Sequence, residues 1–131
     1  MFLSAVGAFL LYFVAGAVVM VLFTVLYLRL TAHDELALIR SGNLAAGIAL
    51  SGTLAGFAIP LTRGIVQSAS LLDMLAWALI ALIVQVLVYL AARFVLSDLS
   101  SRIERGETSA ASFLATISVI AGLINSASMT L

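Results

Sequence analysis

The segment "LTAHDELALIRSGNLAAGI" (residues 30–48) decides the fold, because it places a polar turn inside a chain that is otherwise almost entirely apolar. A segment with a similar order of residue types, "FVLSDLSSRIERGETSAAS" (residues 94–112), follows 64 residues later. We call residues 31–43 the first elbow and residues 97–107 the second elbow. Their recurrence indicates that the chain consists of two similar units, each folded around one polar turn.

The composition indicates whether water or lipid surrounds most of the protein. Of its 131 residues, 64% are hydrophobic and 9% are charged, and the mean hydropathy is +1.27. Charged residues make up about 25% of a typical soluble domain. A small fold leaves much of its surface exposed, so such an apolar excess cannot be hidden in a core. The sequence therefore predicts an integral membrane protein whose main partner is the lipid bilayer.

Several classes of function lack the residues that they need. The net charge is zero and lysine is absent, so no basic surface for nucleic acid is expected. There is no cysteine, and His33 is the single histidine, so neither a metal site nor a cofactor site is predicted. No Walker-type glycine loop, HExxH or GxSxG motif occurs. We therefore expect no catalytic residues and no enzyme activity.

Four apolar stretches are long enough to be membrane spans: residues 1–28, 44–61, 72–96 and 108–129. None alternates with a period of two, and an open sheet cannot span lipid, so each is predicted to be a helix. The first stretch is longer than the apolar region of a secretory signal, about 7–15 residues, and is expected to be retained. The predicted fold is an all-α integral membrane protein with four transmembrane helices.

A shift of 64 residues brings six pairs into register: Arg29 with Arg93, Asp34 with Asp98, Ile39 with Ile103, Gly42 with Gly106, Ala46 with Ala110 and Leu50 with Leu114. We interpret the chain as one membrane domain, residues 1–131, made of two tandem hairpin repeats, residues 1–66 and 67–131. An even number of spans per unit makes these parallel repeats. The alternative is two unrelated hairpins that resemble each other because membrane hairpins use few residue types.

The distribution of arginine predicts the orientation in the membrane. Five arginines flank the elbows, whereas only Arg63 lies on the other side. The positive-inside rule then places both elbows in the cytoplasm and both termini in the periplasm of a bacterial inner membrane. Arg29 and Arg93 are predicted to anchor helix ends at the cytoplasmic interface, with binding of lipid headgroups as the alternative. The charged elbows could also serve as a docking surface for a protein partner.

Each elbow is expected to form a short interfacial helix. Thr31 with Asp34, and Ser101 with Glu104, have the spacing that caps a helix start. Gly42 and Gly106 are placed where a helix ends in a left-handed residue before the chain returns to the lipid.

Small residues recur at helical spacing in the second and fourth spans, where close backbone approach drives helix association in lipid. The predicted packing residues are Gly52, Gly56, Ala111, Ala115, Ser118 and Gly122. They could pack within one chain, between the chains of a homo-oligomer, or both. The two helices are expected to form the central contact.

A few polar residues within the spans could form a polar seam, namely Gln85, Thr53, Thr116 and Asn125. Gln85 lies near the middle of the third span, where an unsatisfied amide is costly. It should face a partner chain or one of the polar residues at similar depth, Ser51, Thr53, Thr116 or Ser118. Its amide would then either hold helices together or line a permeation path. Ser70 and Asp73 are expected to cap the third span. Pro60 should kink the helix of the second span.

Several strings resemble one known family: "SLLDMLAW" (residues 70–77), "IERGE" (residues 103–107) and "GLINSASMT" (residues 122–130). The first elbow adds Asp34, Glu35, Arg40, Gly42, Asn43, Ala45 and Ala46. The chain resembles the bacterial membrane proteins grouped as domain-of-unknown-function family 350, although Ser128 stands where many relatives are expected to have Cys. The resemblance implies two tandem hairpins, an inner-membrane location and no established activity.

Together these features predict a non-catalytic, multi-pass inner-membrane protein. The first interpretation is an oligomeric scaffold or accessory subunit in envelope maintenance or stress, towards which the family resemblance leans. The alternative is a small ion or solute channel or carrier, with the polar seam at the helix interface.

Overall fold

The computed structural model describes residues 1–129, and this part of the chain contains helices and no strands. The six helices are α1 (Phe2–Leu30), α2 (Glu35–Arg40), α3 (Leu44–Gln67), α4 (Leu71–Val95), α5 (Leu99–Glu104) and α6 (Thr108–Ser128). Four of them, α1, α3, α4 and α6, are long and apolar enough to cross a membrane. The prediction of an all-α membrane protein with four spans is confirmed.

Helix α3 continues further than the sequence indicated. The second span was expected to end near Leu61, but α3 runs through Pro60 to Gln67. A proline inside a helix removes one hydrogen bond, and the turns after it are supported by a bond of 3.1 Å from Arg63 Nε to Gln67 Oε1. The boundary predicted between residues 66 and 67 therefore falls inside the last turn of α3. The division into repeats stays a prediction.

The two elbows lie at the same end of the bundle. The side chain of Asn43 in the first elbow donates from Nδ2 to the carbonyl oxygens of Ile103 and Glu104 in the second, at 3.1 Å each. At the opposite end, a Cβ built on Gly64 of α3 would lie 3.4 Å from Cβ of Trp77 and 3.6 Å from Cε of Met129. Each half of the chain therefore crosses the bundle, turns at an elbow and returns.

The ends of the elbow helices follow one pattern. Gly42 and Gly106 have φ of 89° and 80°, so the left-handed conformation predicted for both is confirmed. The amides that follow them close the same turn: Asn43 N donates to Leu38 O and Glu107 N donates to Arg102 O, both at 2.9 Å. A residue with a Cβ would be strained at either glycine.

The helix starts predicted for the elbows were wrong. Asp34, not Thr31, caps α2: its Oδ1 accepts from Ala37 N at 3.2 Å. Thr31 instead donates from Oγ1 to Leu28 O at 3.2 Å, at the end of α1. Ser101 lies inside α5 and not before it. Both elbow helices have six residues, which is too short for the spacing of a polar pair to locate the start reliably.

Helices α3 and α6 form the most extensive contact in the molecule, and α4 packs against both. A Cβ built on Gly52 would collide with Ala115, and one built on Gly122 would collide with the carbonyl oxygen of Gly56. Pro60 has no N–H, so this carbonyl receives no helical hydrogen bond from it and is free to face Gly122 Cα. Such Cα–H···O contacts are common where helices approach closely.

Helix α1 lies at the edge of the bundle and is attached mainly by aromatic side chains near the elbow end. The rings of Phe23 and Phe57 stack with a centroid distance of 4.1 Å and an interplanar angle of 3°. Tyr27 packs edge-on against Tyr89 of α4 at 5.6 Å. Gly16, Phe23 and Tyr27 are the buried residues of α1. Most of the remaining surface of this helix is exposed and is left for lipid or for another protein.

Candidate functional site beneath the first elbow

The first elbow buries an ionisable pair that the sequence did not reveal. His33 Nε2 lies 2.8 Å from Glu35 Oε1, and both side chains are fully buried. Because Asp34 is the N-cap of α2, Glu35 is in its first turn, where its side chain faces the bundle. His33 is therefore buried, although it belongs to a polar elbow.

Polar side chains of three long helices meet at Tyr27, near the end of α1 that leads into the first elbow. Thr53 of α3 donates from Oγ1 to the Tyr27 hydroxyl oxygen of α1 at 3.3 Å, and Tyr89 of α4 packs against the Tyr27 ring. The carboxylate of Glu35 is close enough to Tyr27 to act on it electrostatically. We call these five residues, Tyr27, His33, Glu35, Thr53 and Tyr89, the elbow cluster.

The elbow cluster is incompletely hydrogen-bonded. His33 Nδ1, Glu35 Oε2 and the Tyr89 hydroxyl are buried and have no hydrogen-bond partner among the described residues. Buried polar groups are normally paired, and leaving one unpaired costs about 1–3 kcal/mol. Buried water is the usual partner of such atoms in proteins.

The second elbow does without this cluster. In the 64-residue register, His33 corresponds to Ser97 and Glu35 to Leu99. Glu35 and Leu99 are equally buried, each with 1% of its surface exposed. An apolar side chain therefore suffices to seat an elbow helix on the bundle. This comparison between copies was the signal in the sequence that could have revealed Glu35.

Gln85 lies in the interior at the α3–α6 contact. Its Nε2 donates to the backbone oxygen of Ser118 at 3.1 Å, whereas its Oε1 is buried without a partner. Ser118 was one of the neighbours expected for Gln85, although the bond goes to its carbonyl and not to its hydroxyl. The same Nε2 would lie 3.0 Å from a Cβ on Gly56, so the amide fills the space left by that glycine.

The other predicted seam residues divide into two groups. Thr53 and Asn125 are buried, and Asn125 Nδ2 has no hydrogen-bond partner in the described part of the chain. Thr116 is exposed on the surface of α6, so it does not join Thr53, Gln85 and Asn125 in the interior. The sequence placed Thr116 at the depth of the other seam residues in the membrane, but on the wrong face of α6.

The predicted packing residues and anchors are located as follows. Gly52, Gly56, Ala115, Ser118 and Gly122 meet along the α3–α6 contact, and Ala111 is fully buried in α6. Arg29 and Arg93 are exposed in the last turns of α1 and α4, at the elbow end. The guanidinium carbon of Arg93 lies 5.9 Å from the centroid of the Tyr89 ring.

Within residues 1–129, no group of three or more His, Cys, Asp or Glu side chains comes together that could hold a metal ion. A groove of about 460 Å³ is lined by side chains of α4 and α6, including Trp77 and Asn125. The chemistry that the elbow cluster can offer is the gain or loss of a proton.

Four apolar spans, two short elbow helices and an interior with few polar groups define a multi-pass helical membrane protein. The family described as Domain of Unknown Function (DUF350) matches residues 1–129, and the chain belongs to this family.

The chain is similar to the UPF0719 inner membrane protein YjfL of Escherichia coli, from strain K12 and from O157:H7. Each relative is 38% identical over 128 residues, which cover 98% of this chain and 97% of the relative. No solved structure matches the chain significantly. The predicted family and the inner-membrane location are thus confirmed.

Proposed function

We propose that this protein is a non-catalytic scaffold or accessory subunit of the inner membrane that assembles into homo-oligomers and supports the envelope. The observation that carries the proposal is the closed centre of the bundle. Gly52, Gly56 and Gly122 bring the backbones of α3 and α6 into direct contact. Gln85 fills the adjacent space and is bonded to Ser118. One protomer therefore has a solid interior where a conduit would be expected.

The surface proposed for assembly is the outward face of α1. Gly7, Val14, Val18, Val21 and Val25 recur there at helical spacing, and all are exposed. A Cβ on Gly7 would meet no atom within 4 Å, so packing within the chain does not require this glycine. Valine has a nearly fixed χ1 in helices and loses little freedom on packing. Association in lipid depends on such packing.

This assignment differs from the contact between protomers that the small residues of α3 and α6 suggested. Gly52 and Gly56 are occupied inside the chain, so they are not available to a second copy.

The proposed orientation has both elbows in the cytoplasm and both termini in the periplasm. Its support is that the elbows, which carry most of the arginines, share one end of the bundle. In this orientation Arg29 and Arg93 anchor the cytoplasmic ends of α1 and α4, and the elbows are available to a protein partner. Reporter fusions at residues 37 and 101 should both report the cytoplasm.

Cysteine cross-linking tests the assembly, because the chain has no native cysteine. Val18→Cys should form disulfide-linked dimers in oxidised native membranes. Val19→Cys is the matched control, since Val19 packs against the core of its own chain and should stay monomeric. Equal cross-linking at both positions, or none at Val18→Cys, would contradict α1 as the contact between protomers.

A second candidate function is a small ion or solute channel or carrier. The observation that favours it is a series of buried polar side chains at different depths: Glu35 at the elbow, Thr53, Gln85 and then Asn125. Glu35, Gln85 and Asn125 each leave a polar atom unpaired among the described residues. Transported species are commonly bound by such groups in membrane proteins.

Flux through liposomes that contain the purified protein separates the two candidates. The channel or carrier requires a measurable flux of an ion, a proton or a small solute, and Gln85→Leu must change it. Thr116→Val is the control, because Thr116 lies on the outer surface. Liposomes that stay tight to a broad panel of solutes while the Val18→Cys dimer forms would support the scaffold alone.

A further inference from the structure

We propose that the His33–Glu35 pair is a proton-binding site, and that uptake of a second proton by the pair releases α2 from the bundle. The proposed scaffold function does not require this site.

The first argument is the comparison of equivalent positions in the two elbows. Leu99 seats α5 with the same burial that Glu35 has under α2. Burial of an ion pair seldom stabilises a fold more than apolar residues of similar size. Glu35 and His33 therefore do not serve attachment alone, since Leu and Ser accomplish it in the second elbow.

The second argument is the isolation of the pair. Both side chains are fully buried, and the 2.8 Å contact between Nε2 and Oε1 is the only hydrogen bond that either side chain makes within the described residues. The charge state of the site then depends on the protons that the two groups share. Because the local dielectric constant is low, the gain or loss of a proton at the site costs much free energy.

The groups around the pair do not supply a compensating charge. The titratable neighbours are the phenols Tyr27 on α1 and Tyr89 on α4, and α3 has no charged residue before Arg63. Arg93 stacks over Tyr89 but is itself exposed.

The remaining charges at this end of the bundle are engaged or in solvent. In the first elbow, Asp34 and Arg40 are exposed. In the second elbow, Arg102 and Arg105 pair with Glu107 at 3.5 and 2.8 Å.

The sign of the effect follows from counting protons. With one proton, the pair is neutral overall, either as imidazolium and carboxylate or as imidazole and carboxylic acid, and the hydrogen bond is kept. A second proton, taken from water, gives an imidazolium beside a neutral carboxylic acid. One positive charge is then buried without a counter-ion, and lifting α2 into water relieves it. Acid should therefore release the first elbow and leave the second seated.

The experiment measures thiol labelling at two register-matched positions, Ile39→Cys in α2 and Ile103→Cys in α5, in detergent-solubilised protein. Rates are normalised at each pH to those of the unfolded chain, which removes the intrinsic pH dependence of the thiol. On going from about pH 6 to about pH 3, where a carboxylate exposed to water gains its proton and the released pair takes up the second one, labelling at Ile39→Cys should rise about tenfold. One proton that binds only the released elbow shifts the opening equilibrium about tenfold for each pH unit below the range in which a free carboxyl titrates. Labelling at Ile103→Cys should stay constant.

The matched variant combines His33→Ser with Glu35→Leu and gives the first elbow the residues of the second. It should fold and should abolish the pH dependence at Ile39→Cys. His33→Gln is an independent variant that keeps a donor to Glu35 and removes the second proton, and it should also prevent release in acid. The proposal is overturned if Ile39→Cys does not respond to pH in the native background. It is equally overturned if the response persists in either variant.

Discussion

The two elbows end in the same glycine turn and have different interiors. Each has a six-residue helix that ends in a left-handed glycine and turns into a span rich in small residues. Beneath the first elbow lie the buried side chains of His33 and Glu35, whereas beneath the second lies Leu99. Since both elbows form a six-residue helix that ends in the same glycine turn, the polar interior of the first elbow is not needed to form that turn.

The elbows also differ at the residue that follows the glycine. Asn43 caps α3 through Ala46 N at 3.0 Å and ties the first elbow to the second. Its counterpart, Glu107, makes no side-chain cap and pairs with arginines of its own elbow. At this position the first elbow is bonded to the other half of the chain, whereas the second elbow is bonded only to itself.

The largest effect is expected where the two halves meet. Gly56→Leu should destabilise the protein by about 3 kcal/mol or more, because a Cβ there would lie 2.7 Å from the backbone carbonyl carbon of Ser118. Gly47→Leu in the same helix is the control, since a Cβ at Gly47 meets no atom within 4 Å. Denaturation in SDS followed by circular dichroism measures both. Similar losses for the two variants would mean that α3 and α6 do not approach as closely as described.

The next effect tests the difference between the elbow interiors. Leu99→Glu should cost about 3–5 kcal/mol, because it buries a carboxylate without the histidine that accompanies Glu35. Leu99→Met, which conserves volume, should cost less than about 1.5 kcal/mol. The same denaturation assay applies. If Leu99→Glu proves as stable as Leu99→Met, the position tolerates a carboxylate without a histidine. The comparison with Glu35 would then give no evidence for a role of the buried pair.

A smaller effect is expected at the residues after the glycines. Asn43→Ala should cost about 1–2 kcal/mol, because it removes a helix cap and the bonds to the second elbow. Glu107→Ala should cost less than about 1 kcal/mol, because its arginine pairs are partly exposed. Thermal unfolding of the two variants in one detergent gives the comparison. The reverse order of stability would show that the second elbow carries the connection.

The smallest effect is expected within the elbow cluster. Thr53→Val removes the bond to the Tyr27 hydroxyl and should cost about 0.6 kcal/mol, the mean for interhelical bonds measured in one membrane protein. Thr116→Val, on the exposed face of α6, should be neutral. Both substitutions keep the shape of the side chain, so a loss at Thr116 would indicate that this surface is covered in the assembled protein.

Much of the architecture was predictable because composition and length decide it. Four spans, the left-handed Gly42 and Gly106, and the pairing of α3 with α6 follow from apolar length, turn chemistry and small residues. The end of α3 was predicted too early because Pro60 and Arg63, taken by themselves, indicate the end of a membrane helix. The bond from Arg63 to Gln67, which supports the last turns, is visible only in the structure. Thr116 was misplaced because depth in a span says nothing about the face.

The interior of the first elbow was not predictable from local patterns. His33 and Glu35 occur in a polar segment, and their burial depends on how a six-residue helix is oriented on the bundle. That orientation is set by contacts with distant helices, including the bond from Asn43 to Ile103, which lies 60 positions away in the chain. Only the comparison with Leu99 carried information about it.

The close approach of α3 to α6 also bears on the order in which the protein is made. Ribosomes release the first hairpin into the membrane well before residues 108–128 have been translated. Until then the glycine face of α3 has no helix to receive it, and the amide of Asn43 has no carbonyls to bind. During biogenesis the first hairpin is therefore in the membrane while this face of α3 is still exposed. An insertase or a second nascent chain that covers the face would increase the amount of correctly folded protein.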